Sequence, residues 1–337
     1  MTRFLIACAL VLTFSGCEES NELMLPGKVG PAGELLVVVD DALWEGPVGE
    51  AIEEVAGRPY DLLPQYEPEY SLSVINRKSF DRFFKPHRNI LFVDMDDRID
   101  TQEPSLKMYR DKYASGQIFV EVKGKTPQAI ADIITLRGNE MLSALDEEEL
   151  KRVGDLVRTY PNVPLSSAVK GKFGFTLDFP RDAFLAKETE DFVWVNRELT
   201  RMKGGNNHDI KQGWFMYTYP YKTDSVFSFE WLVAKRDSML KAHVPGDIEG
   251  SYMQTQMKII PTYEERPFNG QFTSQIKGLW TMENDFMGGP FFSMTMYDEP
   301  NQRIVTVEGY AYAPYFDKRE YIREVEAVVK SLKFGAK

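Results

Sequence analysis

The sequence predicts an α+β protein made of two mixed α/β domains, the C-terminal one a mostly antiparallel sheet covered by helices. Three observations carry that prediction. In the first half, short β-branched apolar runs alternate with stretches whose apolar residues recur at helical spacing. The second half strings together segments in which apolar and polar residues alternate, with two helical stretches between them. Between the halves, Tyr160-Pro161-Asn162-Val163-Pro164 places two prolines within four residues, a composition that reads as a boundary.

The elements follow in order. Gly33 to Asp40 is a short apolar run bracketed by Gly and Asp and reads as a buried strand. From Gly46 to Ala56, Val48, Ile52 and Val55 recur at helical spacing, with Pro47 in the first turn and Gly57 ending the run. Tyr70 to Ile75 reads as a strand, Phe80 to Phe84 as a short helix, and Asn89 to Asp94 and Gln117 to Val122 as further strands. Thr126-Pro127 opens a long helix whose face Ile130, Ile134, Met141 and Leu145 is broken at Arg137. Asp146-Glu147-Glu148-Glu149 then predicts the start of a second helix, since carboxylates favour the positive N-terminal end. Residues 33–160 form the predicted N-terminal domain, 161–170 a linker and 171–334 the C-terminal domain. In the latter, Lys172 to Phe179 alternates strictly, and further strands are predicted at Asp191 to Glu198, Gly213 to Tyr219, Gln271 to Met282, Phe291 to Tyr297 and Arg303 to Tyr312. Helices are predicted from Ser225 to Ala242 and from Lys318 to Leu332, the last with Ile322, Val325, Val329 and Leu332 as its buried stripe.

The 337 residues are 43% hydrophobic and 27% charged, which excludes collagen-like and wholly disordered classes. A net charge of -11 without a basic block argues against nucleic acid and anionic head groups as partners. Both cysteines, Cys8 and Cys17, fall near the start. Arg3, the apolar run Phe4 to Phe14 and the small residues Ser15-Gly16 have the pattern of a signal peptide over residues 1–16. That run is roughly half the ~20 residues a membrane-spanning helix needs. Phe14-Ser15-Gly16-Cys17 resembles the bacterial lipobox, which implies cleavage before Cys17 and lipidation of its thiol. The membrane is then a partner through a lipid anchor, at the cell envelope and its outer membrane. Residues 17–32 become an acidic tether, and Glu18-Glu19-Ser20-Asn21-Glu22 is similar to the export signals of surface lipoproteins in the Bacteroidota.

Several motifs have a family look. Gly278-Leu279-Trp280, Met287-Gly288-Gly289-Pro290-Phe291, Tyr312-Ala313-Pro314 with Lys318-Arg319-Glu320-Tyr321, and Leu63-Pro64-Gln65-Tyr66-Glu67-Pro68 together resemble an uncharacterised Bacteroidota lipoprotein family known only as domain of unknown function 4837. The resemblance spans the mature chain and implies no activity. The second half, from Gly174-Phe175 to Pro180 and at Val329-Lys330-Ser331-Leu332, is also similar to PsbP/Mog1-like sandwiches, whose members mostly bind or assemble other proteins.

The mature chain would contain no thiol chemistry, disulfide or cysteine-held metal. His87, His208 and His243 are far apart in sequence, and no zincin, serine-hydrolase, P-loop or dinucleotide motif occurs. No cofactor and no metal are expected. Asp94-Met95-Asp96-Asp97 with Asp100 reads as a solvated acidic loop, and Gly204 to Asp209 with His208 as a turn. Gly288-Gly289-Pro290 reads as a turn in which glycine supplies positive φ and proline stiffens the following strand. Glu283 and Asp285 just before it are the candidate acid pair of a carboxylate-dependent hydrolase acting on a polysaccharide. Trp214, Tyr217, Tyr219 and Tyr221 form an aromatic row that packs a sheet or, on the Tyr217–Tyr219–Tyr221 face, lines a groove. With Trp280, Gly288, Gly289 and Pro290 these are the ligand-binding candidates. The expected function is non-enzymatic binding of a protein or glycan partner at the envelope, with the hydrolase as the alternative.

Overall fold

The computed structural model describes residues 25–61, 63–96 and 103–334. The signal peptide, Cys17, residues 18–24 of the tether, Asp97 and Asp100 lie outside the described residues. Two large sheets, each with its own cores, and a two-stranded one give the α+β architecture in two parts.

The first sheet holds β1 (Glu34–Val38), β2 (Ser71–Ile75), β3 (Asn89–Met95), β4 (Ser105–Arg110) and β5 (Ile118–Gly124) in the order β2-β1-β3-β5-β4. All pairs are parallel except β4 with β5. The near-continuous apolar runs of β1, β3 and β5 follow from burial on both faces. β4 was not anticipated: of SLKMYR only Leu106 is buried, as suits an edge strand. One face is covered by α2 (Pro47–Ala56), which follows the short α1 (Asp41–Trp44), and by α3 (Pro127–Thr159). On the other face, Leu36, Val38, Ile90 and Phe119 meet Phe80, Phe84, Phe92 and Tyr113.

The predicted helix at Phe80 to Phe84 is instead a 3-10 turn at Arg77–Ser79 followed by an irregular stretch. The Asn76 and Asp81 side chains accept from the amides of Lys78 and Phe83, offering the backbone local partners that compete with a helix.

The predicted second helix at Asp146 does not exist as a separate element. α3 runs unbroken for 33 residues, about 50 Å, because nothing in Leu145 to Leu150 breaks a helix and its carboxylates meet tertiary partners. Asp146 accepts from the Tyr70 hydroxyl at 2.8 Å and from Arg323 at 2.9 Å. Glu148 pairs with Arg110 and Lys151, and Glu149 accepts from Asn89 at 2.8 Å and Arg152 at 2.7 Å. The linker at 161–170 is likewise corrected. From residue 163 it is α4 (Val163–Phe173), in which Pro164 sits in the first turn and the Asn162 side chain caps the Leu165 amide. Proline at that position starts a helix, so the segment from residue 163 is regular structure and not an irregular connection.

α4 also takes the beginning of the predicted strand Lys172 to Phe179. Only β6 (Phe175–Thr176) is strand, though Phe173, Phe175, Leu177 and Phe179 are all buried. The second sheet comprises β7 (Phe184–Glu188), β8 (Phe192–Lys203), β9 (Asn206–Pro220), β10 (Tyr252–Thr255), β11 (Thr262–Phe268), β12 (Gln271–Glu283), β13 (Gly288–Asp298) and β14 (Arg303–Tyr312). Its order is β10-β12-β13-β14-β9-β8-β7, with β11 also on β12, and every pairing is antiparallel. The strands missed in sequence, β7, β10 and β11, are short pieces at the ends of this order.

α5 (Phe229–His243) covers one face of this sheet. α6 (Arg319–Val329) and α4 cover the other, before β15 (Lys333–Phe334) pairs with β6. α6 also packs on α3, so it is shared by the two halves. On α6, Glu326 lies 3.4 Å from Lys277 and 2.6 Å from Lys330. Burial works to raise its pKa, but the two lysines outweigh burial and hold the carboxyl at about 2. A depressed carboxylate stabilises the fold above its unfolded pKa, about 4.3, and that stability is lost as pH falls toward 2. Glu326→Gln is therefore expected to lower the urea midpoint at pH 7 by about 2 kcal/mol in free-energy terms, discounted because both lysines reach solvent. It should also flatten the acid limb between those pH values. A wild-type limb retained in the variant would remove Glu326 as its source.

Candidate functional site

The C-terminal candidates are mostly closed into the core. Trp214 is 1% exposed, packs on Phe179 and donates its indole N–H to the Val325 carbonyl at 3.3 Å. Tyr217 and Tyr219 do share a face with Tyr221, but that face meets α5, and Tyr217 is 2% exposed. Burial raises the Tyr217 phenol well above its usual range. Tyr221 is half-exposed and packs at a tilt against Tyr297, with centroids 4.6 Å apart. Trp280 donates to the Ala311 carbonyl at 3.2 Å and borders a pocket of about 100 Å³ with Trp194, Tyr310 and Tyr312. A strand's period of two puts one side of such a row in each layer of the protein, and both layers here are covered. The open aromatic groove is thus corrected to core.

Gly288, Gly289 and Pro290 are the start of β13, not a turn. Positive φ falls on Asn284 in the hairpin. Gly289 is glycine because a Cβ there would stand 2.1 Å from the Ala311 carbonyl oxygen, where the neighbouring backbone passes. Glu283 and Asp285 flank Asn284. Glu283 accepts from Gln254 at 2.7 Å and Asp285 from the Phe286 amide at 2.6 Å. The His208 ring rests 4.1 Å from that of Tyr315 beside the Gly204-Gly205 turn.

The sheet topology draws attention to the other half. β1 lies between β2 and β3, so the chain leaves β1 toward one side and returns from β2 across it to the other. That reversal is a switch point, and in open α/β sheets ligands bind outside the carboxyl ends of the strands at such a point. Asp40 follows β1, Arg77 follows β2 and Asp94 is the last residue but one of β3. Arg77 joins them, 2.8 Å from Asp94 and 3.6 Å from Asp40. From this edge an open basin of about 550 Å³ extends over the second face of the sheet. An apolar cleft between α3 and α6 measures about 260 Å³ by comparison.

The basin has an aromatic floor and a cationic rim. Phe80 and Phe92 lie 5.5 Å apart, Phe92 and Phe119 5.9 Å, and Tyr113 meets Phe119 edge-on at 5.5 Å. Around them stand Arg77, Lys78, Lys85 and Lys112, with Asp40 and Glu121 as the acids of the lining. Lys112 holds its ammonium 3.8 Å from the Phe119 centroid, and Lys85 lies 5.5 Å from that of Tyr113. Of the acidic run read after β3, Asp94 is occupied with Arg77 and Lys123. Among the described residues, no group of three or more metal-ligating side chains is present.

Sequence reading missed the basin because its parts come from four separate segments. The available signal was the repeated adjacency of a cation and an aromatic residue in Arg77 to Phe80, Phe84-Lys85 and Lys112-Tyr113.

Fold and site together define an α+β protein with an open basin on one face of its mostly parallel sheet. The chain belongs to the family described as Domain of unknown function (DUF4837), which residues 163–331 match. Residues 28–158 match a separate family, Domain of unknown function (DUF8532). The whole-chain resemblance therefore narrows: Leu63 to Pro68 lies in the part that matches the second family. No curated protein matches the chain.

Proposed function

We propose that this chain is a lipid-anchored protein of the cell envelope, held at the outer membrane through Cys17, that binds a ligand without transforming it. The basin of the N-terminal sheet is its binding site. The observation that carries this reading is the basin's volume and lining, about 550 Å³ running from the switch-point residues Asp40 and Arg77 across an aromatic sheet face, within the range of small-molecule sites. The anchor rests on the lipobox-like Phe14-Ser15-Gly16-Cys17.

One preparation tests both parts. Full-length protein from membranes, in detergent, is screened against a small-ligand library with lysine acetylation as the footprint. Hits are expected to protect Lys85 and Lys112, and to be recovered unchanged. Protection of Lys211 beside Trp280 instead would move the site to the C-terminal half. Polysaccharide turnover lost on Glu283→Gln or Asp285→Asn would establish the hydrolase. Cys17→Ala should abolish acyl labelling and release the protein from the membrane fraction; retained label overturns the anchor.

A further inference from the structure

We infer, building on the basin as the binding site, that its ligand is a small anion with a flat apolar face. Two sources carry that chemistry, an aromatic carboxylate and a sugar acid.

The anion follows from which cations are free. Arg77 is neutralised by Asp94 and Asp40, and Glu121 is occupied by Lys123 at 3.4 Å. Lys85 and Lys112, by contrast, have no carboxylate partner among the described residues. Their ammonium groups rest on rings, Lys112 over Phe119 at 3.8 Å, Tyr109 at 4.8 Å and Tyr113 at 5.5 Å. A cation–π contact is weaker than a charge-assisted hydrogen bond, so an arriving carboxylate gains by taking the ammonium over. The aromatic walls lower the local dielectric and strengthen that attraction relative to a lysine in open water. In a chain of net charge -11, unpaired lysines gathered around one aromatic floor mark a local reversal of sign.

The flat face follows from the floor. Phe80, Phe92 and Tyr113 are half-buried, so each keeps part of its ring open toward the basin. Ring edges and faces pair with other rings, and with the C–H face of a sugar, at modest gain per contact. A compact inorganic anion meets the lysines but leaves that surface wet.

Titration calorimetry on the full-length protein tests this with four probes: benzoate, galacturonate, galactose and inorganic phosphate. At least one of benzoate and galacturonate is expected to bind, and whichever binds tighter identifies the source. Galactose and phosphate should each bind at least about tenfold more weakly, the loss of one charge-assisted contact or of the floor. Lys112→Met and Lys85→Met should each weaken the acid about tenfold, and added salt should do the same, while Lys241→Met, outside the basin, leaves it unchanged. Phosphate equal to the acids removes the flat face from the inference, and galactose equal to galacturonate removes the charge. If neither acid binds, the ligand class is wrong, and the basin itself then stands or falls on the lysine footprint above.

Discussion

Arg236→Met is expected to destabilise the protein by about 3–5 kcal/mol, the range for stranding one member of a buried ion pair. Arg236, on α5, and Glu308, on β14, have side chains 2% and 0% exposed. Arg236 Nε donates to both Glu308 oxygens at 2.9 Å, Nη2 makes an ionic contact with Oε1 at 2.8 Å, and Nη1 donates to Thr255 at 2.8 Å. The guanidinium also lies 3.8 Å from the Phe291 ring centroid. Even with this partner, burial keeps the Glu308 carboxyl above its usual range. A raised carboxyl favours the fold when protonated, so its contribution is greatest below the unfolded pKa and is lost as pH rises through the folded one. Without Arg236 that effect grows, and the penalty should be larger at pH 7 than at pH 5. Urea unfolding at both pH values measures it. Arg236→Met with Glu308→Leu should recover most of the loss, since two apolar groups leave no orphaned charge. An Arg236→Met midpoint equal to wild type would show that Glu308 finds solvation the structure does not provide.

Glu67→Ala is expected to cost about 3 kcal/mol, more than an exposed helix cap, because the bonds it breaks are buried and charge-assisted. The Glu67 carboxylate receives the Lys318 amide through both oxygens, at 2.7 and 2.8 Å, and the Arg319 amide at 2.8 Å. It thus caps α6 from the other half of the protein, where no residue of the local sequence does so. The same junction holds Arg323, which donates to the Glu69 carbonyl at 3.2 Å and to Asp146 at 2.9 Å. Amide exchange at residues 318–321 should accelerate in Glu67→Ala, and Glu67→Gln, which keeps one acceptor, should fall between. Unchanged exchange there would show that α6 is held by packing alone.

Local signals were legible in the sequence and tertiary ones were not. The stripe of Val48, Ile52 and Val55 gave α2, and the apolar run of β1 gave a buried strand, because each pattern is complete within its own element. Asp146 to Glu149 looked like a helix start because the charge pattern of a start and of a docked mid-helix patch is the same until Arg323, Asn89 and Arg152 are placed beside it. Pro161 and Pro164 posed the same ambiguity between a linker and a first turn. Tyr217 and Tyr219 were correctly placed on one face, but no local signal told that α5 covers it. The basin was invisible for the converse reason. Its lysines and rings are ordinary surface residues until the order β2-β1-β3-β5-β4 gathers them.

The unbroken α3 has a consequence for how the chain divides. Two families match its two halves, yet the helix that ends the first half supplies Asp146 to an arginine of the second, and the first half's Glu67 completes α6. A cut at residue 160 would leave a last helix without its cap and the Arg323 guanidinium with one of its two carboxylates, Glu320, and without the other, Asp146. The two matched segments thus share a helix cap and an ion pair, and removing either half exposes polar groups that the other now satisfies.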